Sequence, residues 1–364
     1  MIEHAGDYEW RGEGEEAGVV LYASDDSAAE SAFGRVLPIT RFPGVAGPVH
    51  AAASPEGLGW VATSTSHAAP DLISAPTRGL LLVADAALGN LQAPPDELPR
   101  LISRRLSEAR PPHATGTRVR RICESGARAA AEDGLIEAED LRFFDPLTGD
   151  ADALGRRAVS AGTRDWVLPG TVRARGVGEV LDAEAAEGLD LEPGALALVV
   201  SARAGDLGRL ALAAHQERIL SRILGGTDFG AEDDLPAAPL ETEEASDLLA
   251  ATFATANFAD GRAGLLLYAL RRALGDLAGG LSLRAAWRVG GIEDHEGSLV
   301  HRRDLAAAGE GEVVVSGGSV AAGTGKMCGS VPPFGAPADD GRIPWEKAGV
   351  LERWADLDPM EGRD

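Results

Sequence analysis

The stretch "DHEGSLVHRRD", residues 294–304, holds the first side chains whose types and spacing could do chemistry. His295 and His301 flank a short apolar run, and Arg302 and Arg303 follow the second histidine directly, in a chain with only 7 histidines. Histidine serves proteins as a nucleophile, an acid or a base. His301 is therefore either a reactive group or an ordinary histidine at the end of a strand, and the stretch alone favours the ordinary alternative.

Other motifs of this kind fail on inspection. "GTGKMC" has Met327 where a phosphate-binding loop needs a serine or threonine after Lys326, and "RGVGEV" lacks the third glycine of a dinucleotide-binding turn. The chain contains no Gly-x-Ser-x-Gly turn, and its histidines do not pair at helical spacing. Cys123 and Cys328 stand far apart, without the spacing of a zinc site or a disulfide framework. No metal site is predicted from these residues.

The composition bounds the class of protein. With 364 residues and 45% hydrophobic content the chain predicts a globular protein with a large core. No apolar run reaches eighteen residues, and the acidic start lacks the order of a signal peptide. We therefore expect a cytoplasmic protein with no membrane partner.

The charge is the most unusual global property. The net charge is −23, and Lys326 and Lys347 are the only lysines among 34 basic residues. Such a field repels nucleic acid, which argues against an RNA partner. It is equally the composition that a halophilic, acidic proteome favours, because molar salt screens long-range repulsion. The negative charge therefore indicates either that nucleic acid is not the ligand or that the protein works at high salt.

The elements that must position these residues alternate between strand-like and helix-like patterns without a strand–helix–strand rhythm, which predicts an α+β fold. The acidic residues 1–17 precede a single large domain over 18–330, and a loop-rich tail follows over 331–364. The predicted strands are Gly18–Tyr22, Leu58–Thr65, Gly79–Ala84, Ala195–Ser201, Leu283–Val289, Ser298–His301 and Glu312–Ser316. The predicted helices are Pro95–Ala109, Arg118–Asp133, Leu207–Leu224 and Thr242–Leu277, the last with a threonine cap.

Five segments occur in an order that resembles the RtcB-type RNA-splicing ligases, from near residue 18 to about residue 325. They contain "RFPGVAGPVHAAASPEGLGWVATSTSHAAPDLISAP", "TRVRRICESGARAAAEDG", "ALALVVSARAGDLGR", "PLETEEASDLLAATFATANFADGRAGLL" and "HEGSLVHRRDLAAAGEGEVVVSGGSVAAG". The resemblance implies an RtcB-like single domain with a β-sheet core flanked by helices. That family joins RNA 3′-phosphate to 5′-hydroxyl ends in tRNA splicing and RNA repair, using GTP and two Mn²⁺ ions.

The resemblance implies that His301 corresponds to the family's guanylate-accepting histidine. The family motif His-Arg-Lys-Gly-Ala-Thr-Arg is matched by "HRRDLAA", which keeps Arg302 but changes the glycine to Asp304. Gly318 and Ser319 in "GSVAAGT" retain part of a family nucleotide-binding stretch, so Arg302, Gly318 and Ser319 are the implied nucleotide contacts. The family's later Ser-x-x-His-Gly-Ala-Gly-Arg segment has no counterpart, which predicts a nucleotide pocket that lacks one wall.

The same resemblance implies that the family's metal ligands are replaced in this chain. Their positions correspond to Leu81, Ala84, Val177, Ser201 and Trp287. Aliphatic and indole side chains offer Mn²⁺ no ligand atom. Three alternatives follow: a non-catalytic relative of the ligases, an active GTP-dependent RNA ligase that forms a guanylate on His301, and a soluble protein of another class. The first is preferred, with RNA such as tRNA or a full-activity RtcB relative as its expected partner. The oligomeric state is left open.

Overall fold

The computed structural model describes residues 2–6, 9–23, 26–54, 57–87, 98–108, 112–145, 147–166, 171–176, 187, 189–192, 194–226, 235–295 and 297–307, and three short strands within 313–344. Over these residues the chain is a mixed α/β protein in which helices flank one large sheet. The predicted α+β class is confirmed at this level.

Ten strands form the main sheet in the order β1-β2-β3-β4-β5-β12-β11-β7-β9-β8. Strands β3 and β4 pair in parallel, and the other neighbours pair antiparallel. The strands are β1 (Ile2–Gly6), β2 (Glu9–Glu13), β3 (Gly18–Tyr22), β4 (Val49–Ser54), β5 (Gly57–Ser64), β7 (Thr77–Ala87), β8 (Thr171–Gly176), β9 (Ala195–Arg203), β11 (Leu281–His295) and β12 (Ser298–Ala307).

Smaller strands lie outside this sheet. Strands β6 (His67–Ala68) and β10 (Ala238–Pro239) pair with each other, and β13 (Val313–Ser316), β14 (Ser319–Ala322) and β15 (Arg342–Pro344) form a second small sheet. The helices are α1 (Asp26–Val36), α2 (Leu98–Glu108), α3 (Gly116–Glu132), α4 (Gly155–Asp165), α5 (Gly205–Leu224) and α6 (Glu243–Ala278), with short 3₁₀ segments at Leu37–Arg41, Pro70–Leu72 and Ala138–Phe143.

Helix α6 is the central helix of the core. Its N-cap is Thr242, as predicted, and the Thr242 hydroxyl accepts a hydrogen bond from the Ala245 amide at 3.3 Å. Glu243 and Glu244 then place negative charge at the positive end of the helix dipole. It ends at Gly279, which adopts the left-handed conformation with φ 70°. Nearly all of its length is buried against α3, α5, β7 and β11.

The main sheet has two faces, and the helices described here cover one of them, which we call the helix face. Leu80 and Leu82 of β7 share a core with residues of α6 on this face. Ile292 of β11 packs with Leu248 of α6, and Ala62 of β5 packs in the core that α1 covers. Because side chains alternate along a strand, Leu81 and Val83 lie on the opposite face.

The structure also bears on the segments proposed from the sequence. Residues 1–17 contain β1 and β2, which extend the main sheet through β3. The tail over 331–364 lies outside the described residues except for β15. None of the described helices is both long and apolar enough to cross a membrane.

Candidate functional site

His301 lies in the middle of the sheet, on β12, opposite Ala62 of β5 and Ile292 of β11. Both neighbours face the helices, so the imidazole does too. The side chain has 0% exposure. Its ring is therefore enclosed by the core that lies between β5, β12 and the segments around Phe42 and Ala69.

Two contacts fix the ring of His301. The Ala69 amide donates a hydrogen bond to Nε2 at 3.1 Å, and the Phe42 ring stands edge-on at a centroid distance of 5.2 Å. An Nε2 that accepts a hydrogen bond carries no proton, which assigns the proton of the neutral ring to Nδ1. Among the described residues Nδ1 has no acceptor at hydrogen-bonding geometry.

Burial lowers the pKa of His301 to about 4, against a smaller raising effect of the Ala62 and Leu299 backbone groups. The histidine is thus neutral at physiological pH. A neutral imidazole is the form that a nucleophile needs, but this one has its Nε2 lone pair occupied by an amide and its ring closed off from solvent. It cannot approach a nucleotide in this arrangement.

Arg302 lies on the opposite face from His301, because successive residues of β12 alternate. Its side chain is 3% exposed, and its Nη2 donates to Glu293 Oε2 at 2.8 Å. Burial raises the pKa of the Glu293 carboxyl, but the cation of Arg302 reverses this and the net pKa is lowered. Arg302 is therefore held in an ion pair with Glu293, on the other side of the sheet from the histidine it follows.

Three of the positions assigned to metal ligands meet at Gly79 of β7. Gly79 pairs with Ser201 of β9 on one side and with Trp287 of β11 on the other. A Cβ at Gly79 would overlap the indole of Trp287, so the indole lies across the glycine on the opposite face. Leu81 lies on that face two residues along β7, and is fully buried. These positions share one face, and the ring of His301 lies on the helix face.

The remaining assigned positions lie at or beyond the limits of the described chain. Val177 and Gly318 are outside the described residues. Ser319 begins β14 and pairs with Ser316 and Pro344 in the small sheet. Ala84 is buried near the end of β7. Within the ranges described above, no three His, Cys, Asp or Glu side chains come together as a metal ion would require.

The helix face also holds a buried charged group that none of the sequence motifs indicates. Arg78 of β7 makes two hydrogen bonds to Asp260 of α6, and Arg288 of β11 lies directly opposite Arg78. The available signal was the position of these charges inside otherwise apolar segments, "TRGLLLV" and "NFADGRAGLLL". Charged residues are almost never fully buried unless paired, so each predicts a partner, although not which one.

Comparison with known proteins gives no assignment. No family model matches the chain, and no curated protein is significantly similar to it.

Proposed function

We propose that this protein is a non-catalytic relative of the RtcB-type RNA ligases, in which the former nucleophile position, His301, has become part of the core. The observation that carries the proposal is the state of this ring, which is fully buried and has its Nε2 bonded to the Ala69 amide. A nucleotide phosphorus must reach an imidazole nitrogen to be attacked, and neither nitrogen is open to solvent.

The backbone next to His301 supports the relationship to the ligases. Asp304 stands where the family motif has glycine, and it adopts the left-handed conformation with φ 54°. Few residues other than glycine adopt this conformation, and aspartate is among those that tolerate it. The backbone at this position therefore has a conformation that a glycine would adopt without strain.

The positions at Leu81, Ser201 and Trp287 support the loss of catalysis. They lie on adjacent strands around Gly79, on the face of the sheet opposite to His301, and their side chains are an aliphatic group, a hydroxyl and an indole. Two Mn²⁺ ions need several oxygen or nitrogen ligands, and this set supplies at most one. We infer that RNA such as tRNA, or a full-activity relative, is the partner of a protein that does not itself transfer GMP.

The test is a guanylation assay on the purified full chain. Wild type and His301→Gln are incubated with α-labelled GTP and Mn²⁺ at 0.1 M and 2 M KCl. We expect no covalent label on either protein, and no joining of an RNA 2′,3′-cyclic phosphate end to a 5′-hydroxyl end.

A label on wild type that is absent from His301→Gln would overturn the proposal in favour of an active ligase. Retention of fold in the variant is checked by circular dichroism. A labelled tRNA filter-binding assay at the same two salt concentrations decides between the two partner classes, because a protein that binds RNA directly retains it and one that acts only through a relative does not.

A further inference from the structure

Helix α4 presents to solvent a face that is rich in arginine. Its exposed side chains are Arg156, Arg157, Ser160 and Arg164. These positions follow one another at intervals of three or four residues, so they share one side of the helix. The other side is packed tightly, because a Cβ at Gly162 would overlap Leu207 of α5 and Val119 of α3. We call the four exposed residues the α4 arginine face.

The charges of the α4 arginine face are not neutralised within the described part of the chain. There, no carboxylate oxygen lies within salt-bridge distance of Arg156, Arg157 or Arg164. Acidic residues outnumber basic ones by 57 to 34 in this protein, and Arg120 of the neighbouring helix α3 is paired with Asp152. The face is therefore a local surplus of positive charge on a strongly negative molecule.

The carboxylates closest to α4 in the sequence bind other groups. Asp165, the only acidic residue of the helix, accepts a hydrogen bond from the Leu207 amide at 2.9 Å. Asp152 accepts hydrogen bonds from both Nη atoms of Arg120 at 2.7 Å, and Asp150 accepts one from the Asp152 amide. The first turn of α4 holds two arginines and no carboxylate, which is unfavourable at the positive end of a helix dipole. An anion bound by the face would offset this repulsion.

The kind of partner follows from the side chains on this face. Protein partners are held by apolar and aromatic anchors, but among the described residues the exposed large hydrophobic side chains are Leu220 and Leu224, both on α5. Arginine binds phosphate oxygens through two parallel hydrogen bonds. Arg156 and Arg164 are separated by about 12 Å along the helix axis, whereas a duplex strand carries a phosphate about every 3.4 Å of its axis. The face therefore fits a row of phosphates better than a protein surface.

We propose that the α4 arginine face binds the sugar–phosphate backbone of a nucleic-acid strand. Arg156, Arg157 and Arg164 donate to phosphate oxygens, and the hydroxyl of Ser160, which lies between them, donates a further hydrogen bond. Contacts of this kind carry no sequence information, so the affinity depends on the backbone and on salt. The net charge of −23 opposes approach from a distance. At about 0.15 M salt the Debye length is only about 8 Å, so this long-range repulsion is largely screened.

This inference deepens the RNA contact of the proposed function, and it rests on that function only for the choice of RNA over DNA. Ala158 of α4 belongs to the core on the helix face, whereas Leu81 and Trp287 lie on the opposite face of the sheet. A guanylated His301 would overturn the proposed function and leave this surface standing. Nucleic-acid binding that does not depend on the three arginines would overturn this surface and leave the proposed function standing.

The test measures binding of the full chain at pH 7 to a labelled single-stranded RNA and to DNA of the same sequence, by fluorescence anisotropy over a series of KCl concentrations. The test variant combines Arg156→Gln, Arg157→Gln and Arg164→Gln. The control variant combines Arg41→Gln, Arg121→Gln and Arg209→Gln, which remove arginines that are each paired with a carboxylate. Both variants lose three positive charges, so they differ only in where the charge is lost. Circular dichroism checks that both are folded, and polyglutamate is added as a competitor that carries carboxylates in place of phosphates.

We expect saturable binding by wild type and by the control variant, and binding weaker by about tenfold or more by the test variant, because three phosphate contacts are lost. For wild type the logarithm of the binding constant should fall with the logarithm of the KCl concentration with a slope of about −2, as three contacts to a single strand predict, and the slope should be shallower for the test variant. Tighter binding of RNA than of DNA would identify RNA as the strand, and equal binding would assign the face to either strand. Equal affinities of the test and control variants, or no saturable binding of either strand, would overturn the proposal. Displacement of the RNA by polyglutamate at equal charge would also overturn it, in favour of an acidic protein partner.

Discussion

At the scale of single residues, His301 shows how burial decides what a histidine can do. Its neighbours on the helix face are apolar, and its one hydrogen bond uses a lone pair on Nε2. Both features require the uncharged ring, because a protonated imidazole has no lone pair to accept the Ala69 amide and loses its hydration in the core. The fold should therefore be destabilised when pH favours protonation.

This gives a pH prediction with a definite sign. The folded pKa of about 4 lies below the ordinary value of 6.5. Above pH 6.5 both the folded and unfolded states are neutral at this residue, and the pH has no effect. As pH falls from 6.5 to 4 only the unfolded state gains the proton, so the folded state loses stability, by about 3 kcal/mol in total.

The measurement is the free energy of unfolding by urea, from pH 7.5 to pH 4, for wild type and His301→Gln. Glutamine retains an acceptor for the Ala69 amide and does not titrate. His67 and His215 also have a pKa lowered by burial, but they are common to both proteins and cancel in the difference. The advantage of wild type over the variant should shrink toward low pH, and a difference that stays constant would refute the assignment of this ring as neutral.

At the scale of elements, the sequence patterns predict a strand or helix correctly where one side of the element is buried and where capping or turn residues mark its ends. β3 and the start of α6 agree with prediction to the residue, because a β-branched run and a threonine cap mark them. The predicted strands that correspond to β5, β7 and β9 agree with the observed strands within three residues at each end. Strands β11 and β12 begin close to the predicted positions, but each ends six residues later than predicted. Helices α1 and α4, each 11 residues long and rich in small residues, were missed.

What the sequence could not provide is the partner of a residue in distant parts of the chain. Gly290 and Gly291 have positive φ, and near them the pairing of β11 with β12 shifts register. The residue of β11 that lies opposite His301 depends on that irregularity, because the register shifts there by two residues. The Arg78 to Asp260 pair joins residues 182 positions apart, so no local pattern indicates it.

Gly79 of β7 pairs with β9 on one side and β11 on the other, so a substitution at this glycine should affect the stability of the sheet. Gly79→Ala places a methyl group into the indole of Trp287 between β7 and β11. Because the indole is buried, the strands must separate or the ring must shift, which should lower the free energy of unfolding by about 1–3 kcal/mol.

The matched control is Gly275→Ala in α6, where the added Cβ meets nothing within 4 Å. Alanine is favoured over glycine in a helix by about 1 kcal/mol, so this substitution should stabilise. Both free energies come from urea unfolding monitored by circular dichroism. Equal effects of the two substitutions would show that the Trp287 contact does not constrain the sheet.

At the scale of the whole molecule, the charge of −23 opposes folding, because a compact state concentrates like charges that an unfolded chain spreads out. Many of the exposed carboxylates are paired with arginines, as in Arg120 with Asp152 and Arg41 with Glu15. Such exposed pairs contribute little each, so they do not remove the net repulsion. Added salt should therefore stabilise the fold by screening the repulsion between the negative charges that remain unpaired.

The final prediction follows from the range over which salt screens charge. Raising KCl from 0.05 to 0.5 M shortens the Debye length from more than about 10 Å to less than about 5 Å. The free energy of unfolding should rise steeply over this interval and should rise equally in KCl and KBr, because screening depends on ionic strength alone. A gain that begins only above 1 M would instead indicate salting-out of apolar surface, and sucrose, which does not screen, provides the control. If screening is the cause, Arg288→Met should show the same slope as wild type, since one buried charge does not alter a field set by the whole surface.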